Sequence, residues 1–390
     1  MKKTLWSRNY TLVTVATVLG CIGGIAGGFA LSFLVYDETG STLAAAILIA
    51  IQVIPYFIIP LVAAPLMDRL PRKPFLVGGD LINGVLFGLA GLYLHFYPFT
   101  YIGYLFFSLL LASINAFDRL AFDSIFPKLI PSGFEDRGYT VSTMIYPVMQ
   151  VIMMPIAALL FETIGVAMIL MMQAGLSIAA ALIESGIRIE ETNRLQGERF
   201  SFHMWWNDIR EAMAYLKNEK GLKNIFAYMA ATNGVAGGMH PILIAFFRTA
   251  PGFTIAMYSF FSVAEFAGRS IGGAVRYIVK IPEKRRFAFA FFVYQTYDLM
   301  DAALLWLPYP LMLVNRAICG FLGINSATMR QVAVQSYIPE SYRARINAFE
   351  GMLYAFSGAV FTLIIGALGE VLDYRVCFSI GGLFAVTFCL

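Results

Sequence analysis

The sequence predicts an all-α membrane protein with twelve transmembrane helices in two parallel six-helix repeats. Three observations predict it: an apolar composition, apolar stretches of membrane-crossing length, and an internal repeat. Hydrophobic residues make up 59% of the 390 residues and charged residues only 13%, with a mean hydropathy of +0.72. So few charges cannot cover a soluble domain with that much apolar side chain, so lipid is the solvent that fits. The four cysteines (Cys21, Cys319, Cys377, Cys389) all lie inside apolar stretches. Their spacing matches neither a metal site nor a disulfide framework, so they read as small packing residues, and no metal or cofactor is expected.

A helix needs about 20 apolar residues to cross a hydrocarbon core of ~30 Å. In the first half such stretches fall at residues 11–36, 43–67, 75–96, 100–125, 139–161 and 166–187. In the second they fall at 222–247, 253–279, 287–306, 311–332, 346–368 and 376–390. The first, preceded by Lys2, Lys3, Trp6 and Arg8, is too long for a signal-peptide core and reads as a retained span. The last gives only about 22 Å of helix at ~1.5 Å per residue, as if the chain stopped inside it.

An even number of spans puts both ends on one side, and the basic residues say which. Most of the 28 Lys and Arg fall at or beside the same-side segments, among them Arg69, Arg72, Lys73, Lys280, Lys284, Arg285 and Arg286. Cytoplasmic loops carry that excess, so both termini are expected in the cytoplasm. Arg248 and Arg375 fall on the other side, and Arg269 and Arg316 lie within spans.

The chain is thereby divided into a six-helix half at 1–187, a cytoplasmic linker at 188–221 and a second six-helix half at 222–390. In the linker, Phe202, Trp205, Trp206, Ile209, Met213 and Leu216 share one helical face, opposite Asn207, Asp208, Arg210, Glu211 and Lys217. Such a helix either lies in the membrane interface with its tryptophans at headgroup depth or packs beneath the bundle.

The internal repeat has an offset of about 210 residues. Gly24-Ile25-Ala26-Gly27-Gly28 matches Gly234-Val235-Ala236-Gly237-Gly238, and Ile130-Pro131 with Arg137 matches Ile338-Pro339 with Arg345. Ile156-Ala157-Ala158-Leu159 lines up with Ile364-Ile365-Gly366-Ala367. Six helices separate the copies, so both halves are expected to run the same way through the membrane, an architecture used for alternating access. The glycines permit close helix approach, either in a rocking interface or in static packing. His240-Pro241 is expected to kink the seventh span.

After the second span the chain reads Ala64-Pro65-Leu66-Met67-Asp68-Arg69-Leu70-Pro71-Arg72-Lys73. This resembles the G-x-L-x-D-R-x-G-R-R/K signature between helices 2 and 3 of the major facilitator superfamily. Asp68, Arg69, Arg72 and Lys73 match, while Ala64 and Pro71 replace the glycines. The resemblance implies that these four form a gating motif; as positive-inside anchors the basic ones would need no gate.

Thr39-Gly40-Ser41, Ile54-Pro55 and Ile209-Arg210-Glu211-Ala212-Met213-Ala214-Tyr215-Leu216 resemble the drug:proton antiporter branch with macrolide efflux proteins and the enterobactin exporter. Arg316-Ala317-Ile318-Cys319-Gly320 resembles that branch's R-x-x-x-G pattern, whereas the fifth span keeps Pro155 but departs from G-P-x-x-G-G. The resemblance implies a monomeric, multi-pass protein of a bacterial inner membrane that exports small amphipathic molecules in exchange for protons. Its partners would be that substrate, protons and the lipid bilayer, without nucleic acid. An uptake carrier and a lipid flippase are alternatives on the same fold.

A charge at a helix centre costs roughly 2.5–3.5 kcal/mol on insertion scales, so charges within spans mark candidate sites. The central ones are Glu265, Arg269, Asp298, Asp301 and Arg316, all in the second half. Asp298 and Asp301 lie one turn apart on one face, and Asp301 is at about the depth of Arg316. Two neighbouring carboxylates do not both ionise cheaply, so one can load and release a proton while the arginine holds the other charged. An ion pair that only fixes two helices would use the same residues. Glu265 and Arg269 form an i,i+4 pair. Asp80, Asp118, Arg119, Asp123, Glu184 and Glu350 lie nearer cytoplasmic ends and read as structural or gating pairs.

The chain has no G-x-x-x-x-G-K-[S/T] phosphate loop. An ion gradient is the ready energy source: one charge crossing 100 mV supplies about 2.3 kcal/mol. An intramembrane enzyme is a distant alternative, suggested by Asp298-Leu299-Met300-Asp301, but a single carboxylate pair makes a poor Mg²⁺ site.

Overall fold

The computed structural model describes residues 4–56, 58–59, 71–189, 210, 214–278 and 282–389. The described part of each expected span is helical, and most helices run a few residues past the apolar stretch, because helical hydrogen bonding continues where lipid contact ends. In the first half they are α1 (Arg8–Thr39), α2 (Thr42–Ile51), α3 (Lys73–Phe96), α4 (Tyr101–Leu129), α5 (Glu135–Thr163) and α6 (Gly165–Ser185). In the second they are α7 (Lys220–Thr249), α8 (Ile255–Ile278), α9 (Arg286–Ala303), α10 (Tyr309–Tyr337), α11 (Glu340–Leu368) and α12 (Tyr374–Cys389). Single 3-10 turns, Glu283–Arg285 and Leu304–Trp306, bracket α9. Pro241 sits inside an unbroken α7, where it leaves the carbonyl one turn back without its usual amide donor.

Six segments are long and apolar enough to cross a membrane among the described residues: Arg8–Thr39, Lys73–Phe96, Tyr101–Leu129, Arg137–Thr163, Gly165–Ser185 and Phe349–Leu368. Five belong to the first half. The charges of the second half interrupt α8, α9 and α10 and lower their apolarity. Outward faces are apolar throughout: Leu89, Phe106, Leu182 and Phe292 are all more than half exposed. A surface of that kind is stable against lipid and not against water.

The chain packs into two units, Met1–Gly40 with Ile51–Arg199, and Ser41–Ala50 with Phe200–Leu390. In the first unit α3 packs on α6 and α4, α1 on α5 and α6, and α5 on α6. In the second, α9 packs on α12 and α10, α7 on α11 and α12, and α11 on α12. Each of these five first-unit pairs recurs six helices later, whereas the smaller α1–α4 contact has no counterpart of that size between α7 and α10.

The repeated Ile-Pro steps also match locally. Ile130 ends α4 with φ −81° and ψ 127°, and Ile338 ends α10 with φ −72° and ψ 123°. Ile130 is buried with Tyr10, Leu76, Phe126 and Ile187, and Ile338 with Leu216, Phe226 and Ile346. Linker positions 190–209 and 211–213 lie outside the described residues, so the amphipathic face proposed there is represented by Leu216 alone.

The repeated glycines do not share one packing role. A Cβ at Gly27 would collide with the Gln173 carboxamide of α6, whereas Gly24 and Gly28 face open space. In α7, by contrast, Gly234 and Gly238 both press on α11, where a Cβ at Gly238 would lie 2.7 Å from the Phe361 carbonyl oxygen.

The segment Ser41–Ala50 packs with the second unit, and the reason is a carboxylate. Gly40 ends α1 at φ 63°, a left-handed conformation that glycine adopts without a Cβ penalty. Beyond that turn, Glu370 Oε1 accepts hydrogen bonds from Ser41 Oγ (2.8 Å), Thr42 Oγ1 (3.0 Å) and the Leu43 amide (2.9 Å). Thr42 Oγ1 also lies 2.7 Å from the Gly366 carbonyl oxygen. Glu370 thus caps the N-terminus of α2 from the end of α11, where its charge also suits the helix dipole.

Partial burial raises the Glu370 pKa, but the bonds from Leu43, Ser41 and Thr42 outweigh it and hold the carboxyl below the usual glutamate range. With the folded-state pKa depressed, the stabilisation is present above the unfolded value and disappears as pH falls through the folded one. Glu370→Ala is expected to cost about 0.5–1 kcal/mol at neutral pH, the low end for a cap because the group is exposed. Thermal unfolding in detergent checks this: the gap between parent and variant should close as pH drops below the ordinary glutamate value.

Candidate functional site

The second unit holds a polar column in otherwise apolar helices, and α9 supplies its spine. Tyr294, Tyr297, Asp298 and Asp301 follow the i, i+3, i+4, i+7 spacing that places side chains on one helical face. Asp298 and Asp301 are 6% and 7% exposed, and Arg316 of the neighbouring α10 is 8% exposed, so all three are removed from solvent. Arg316 Nη2 forms an ion pair with Asp301 Oδ1 and lies 3.0 Å from Asn315 Oδ1. Asn315 Nδ2 donates to the Met300 carbonyl at 2.8 Å, which locks α10 to α9 at this level. Among the described residues, Arg316 Nε is buried without a hydrogen-bond partner.

Asp298 is held differently. Its Oδ2 accepts from Tyr228 Oη of α7 at 3.2 Å, a neutral donor in place of a cation. Asp298 and Asp301 lie close enough to feel one another's charge. One carboxylate is therefore fixed by an arginine and the other only steadied by a hydroxyl, which makes two unlike acids on one helix turn.

Glycine decides how near α8 comes. A Cβ at Gly320, one turn after Arg316, would collide with the Glu265 carbonyl oxygen, and one at Gly268 with the Ala317 carbonyl oxygen. That close approach brings Glu265 within electrostatic reach of Asp301, Tyr297 and Cys319. Glu265 Oε1 in turn accepts from Arg269 Nε at 3.0 Å and Nη2 at 2.5 Å. The Arg269 side chain is 56% exposed and that of Glu265 is 27% exposed, so the pair runs outward from the column.

All five charged residues singled out within the second-half spans thus converge on α8, α9 and α10. Arg72 and Lys73, two of the four residues of the signature-like segment, stand at the start of α3, donating to the carbonyls of Ser124 (3.3 Å) and Ser185 (2.7 Å). Asp68 and Arg69 lie outside the described residues.

Sequence reading named Glu350 but missed Arg330 and the tyrosines Tyr228, Tyr294, Tyr297 and Tyr354. Arg330 of α10 donates to Tyr294 Oη at 3.3 Å, and the Tyr228 and Tyr294 rings meet at 5.1 Å. On α11, Tyr354 Oη donates to Glu350 at 2.7 Å, within reach of Arg330 and Tyr294. The tyrosine stripe of α9 is present in the sequence as a helical period. Tyr228 gave no local signal, since its partner lies two helices away.

No protein-family model matches the sequence, and no curated protein matches it. Solved structures do. The nucleoside transporter NupG superimposes with a TM-score of 0.74 at 12% identity, covering 98% of this chain and 97% of that one. A POT family transporter in complex with a thioalcohol-conjugated peptide gives 0.70 at 14% identity, with 98% and 94% covered. A bacterial homolog of the human lysosomal transporter Spinster, inward-facing and unoccupied, gives 0.69 at 13% identity, with 100% and 95% covered. Likeness at such low identity shows the fold alone: the chain shares the helical fold of these transporters, and its long apolar helices are those of a multi-pass membrane protein.

Proposed function

We propose that the chain is a secondary active transporter working by alternating access, built from parallel six-helix halves at 1–187 and 222–390. The recurrence of the α3–α6, α3–α4, α1–α5, α1–α6 and α5–α6 packings six helices later supports the two-repeat reading. The observation that carries the functional reading is the buried set Asp298, Asp301 and Arg316, with the Tyr228 hydroxyl on Asp298. Charges buried in an apolar bundle cost several kcal/mol each before pairing, which a purely structural contact could avoid with apolar side chains of similar size.

In this reading Arg316 keeps Asp301 charged, and Asp298, steadied by the Tyr228 hydroxyl, is the group that gains and loses the coupling proton. One proton moving down 100 mV supplies about 2.3 kcal/mol, enough for roughly a 50-fold substrate gradient at about 1.4 kcal/mol per decade. The substrate class is small amphipathic molecules, and the direction is export by antiport. The cell membrane, with both termini cytoplasmic, is the expected location.

A second reading is uptake, favoured by the nucleoside and peptide transporters among the similar structures. Purified protein in vesicles, tested with amphipathic cations, nucleosides and dipeptides under pH gradients of either sense, separates the two. Antiport requires accumulation against the proton gradient, and symport requires accumulation along it. Asp298→Asn is expected to abolish gradient-driven accumulation, leaving only equilibration and counterflow of the transported probe. Accumulation by Asp298→Asn equal to the parent would move coupling elsewhere, with Glu265 next to test.

A further inference from the structure

We infer that Asp80, Asp118 and Glu184 form a second proton-binding site, inside the first unit and separate from the column of the second. The sequence reading assigned these acids to structural or gating pairs, but the structure gives none of them a basic partner by hydrogen bond or ion pair among the described contacts. Asp80 lies on α3, Asp118 on α4 and Glu184 on α6, and α3 packs on both α4 and α6. Gly79 lets α3 close against Asp118, since a Cβ there would lie 3.0 Å from Oδ1. Glu184 is within electrostatic reach of Asp80 and Asp118, and Asp118 of Asp80.

Two observations beyond the grouping of acids point to a ligand. Glu184 is only 3% exposed, and its Oε2 is buried without a hydrogen-bond partner among the described residues, as is Asp118 Oδ1. One turn along α3, Asn83 is 7% exposed, and its Oδ1 is likewise unpartnered. Its Nδ2 donates to Asn115 Oδ1 at 2.8 Å, so Asp80 and Asn83 on α3 run beside Asn115 and Asp118 on α4. Among the described residues, what the cluster lacks is donors: three buried acceptor oxygens have none.

The charged and titratable groups around it are otherwise engaged. Lys73 donates to the Ser185 carbonyl and Arg72 to that of Ser124. Arg119 pairs with Asp123 at 3.8 Å, both well exposed, and Tyr56 lies within reach of Asp118 and Arg119. A metal ion would need the acids to converge on one point, and the described residues contain no set of three His, Cys, Asp or Glu so placed. A proton needs no such shell. Bound to one carboxylate, it turns an acceptor-only group into the O–H donor that the neighbouring oxygens are missing.

The test needs no transport substrate, so it can fail while the transporter reading stands. Purified full-length protein at neutral pH is examined by infrared difference spectroscopy for the carbonyl stretch of protonated buried carboxyls. Parent minus Glu184→Gln, and parent minus Asp118→Asn, are each compared. The expected result is loss of about one carboxyl's amplitude in at least one of the two, with melting temperature at neutral pH held or raised. No loss in either variant overturns the proposal. So does a rise in the parent's melting temperature with sodium chloride, relative to choline chloride, that Glu184→Gln abolishes, because the site would then take sodium.

Discussion

Arg316→Ala is expected to destabilise the protein by about 3–5 kcal/mol and to abolish transport, because it leaves Asp301 charged, buried and without its cation. The residue is only 8% exposed, and its ion pair with Asp301 joins α10 to α9. Water cannot easily replace the guanidinium there. Arg316→Lys keeps the charge but replaces a planar guanidinium, whose Nη2 meets both Asp301 and Asn315, by a compact ammonium on a shorter stem.

The informative comparison is the double variant Asp301→Leu with Arg316→Met. Replacing a buried pair by apolar groups of similar size is often neutral or stabilising, so this variant should recover most of the melting temperature lost by Arg316→Ala. Recovered stability without recovered transport would mark the pair as functional; recovery of both would reduce it to a helix fastener. Unfolding in detergent, followed by tryptophan fluorescence, gives the stabilities, and vesicle flux gives the activity.

Gly320→Val is expected to have an effect of similar size through packing alone. Gly320 and Gly268 face each other's helix with backbone, not side chain, behind the point of collision, so relief requires α8 and α10 to move apart. Overpacking typically costs about 1–3 kcal/mol, and a backbone obstacle places this variant at or above the upper end. Separation would also draw Glu265 away from the Asp301 and Arg316 pair. Gly273→Ala on the facing helix α8 is the control, since nothing lies within 4 Å of its would-be Cβ. It is expected to leave melting unchanged or raise it by up to the ~1 kcal/mol difference in helix propensity. Equal losses for both substitutions would show that the close contact between α8 and α10 has no special weight.

The sequence by itself determined the fold class and the helix positions. Lipid imposes one demand on every crossing segment, about 20 apolar residues with all backbone groups bonded internally, and that demand is visible locally. Residues 75–96 read from apolarity became Lys73–Phe96, and residues 346–368 became the end of Glu340–Leu368. Asp298, Asp301 and Arg316 were also legible as a group, because helix periodicity fixes which residues share a face and rise per residue fixes their depth.

Only the tertiary structure decided which helix faces meet. Core and lipid are equally apolar, so a hydrophobic pattern does not say how a membrane helix is rotated about its axis. Tyr228 therefore gave no hint of Asp298, and the matched glycines of α1 and α7 gave no hint that Gly24 faces open space while Gly234 presses on α11. The same indeterminacy hid Ser41–Ala50, whose place depends on Glu370 more than 320 residues later. It also hid the gathering of Asp80, Asp118 and Glu184, three acids on three helices whose proximity is set by how closely Gly79 lets α3 approach α4.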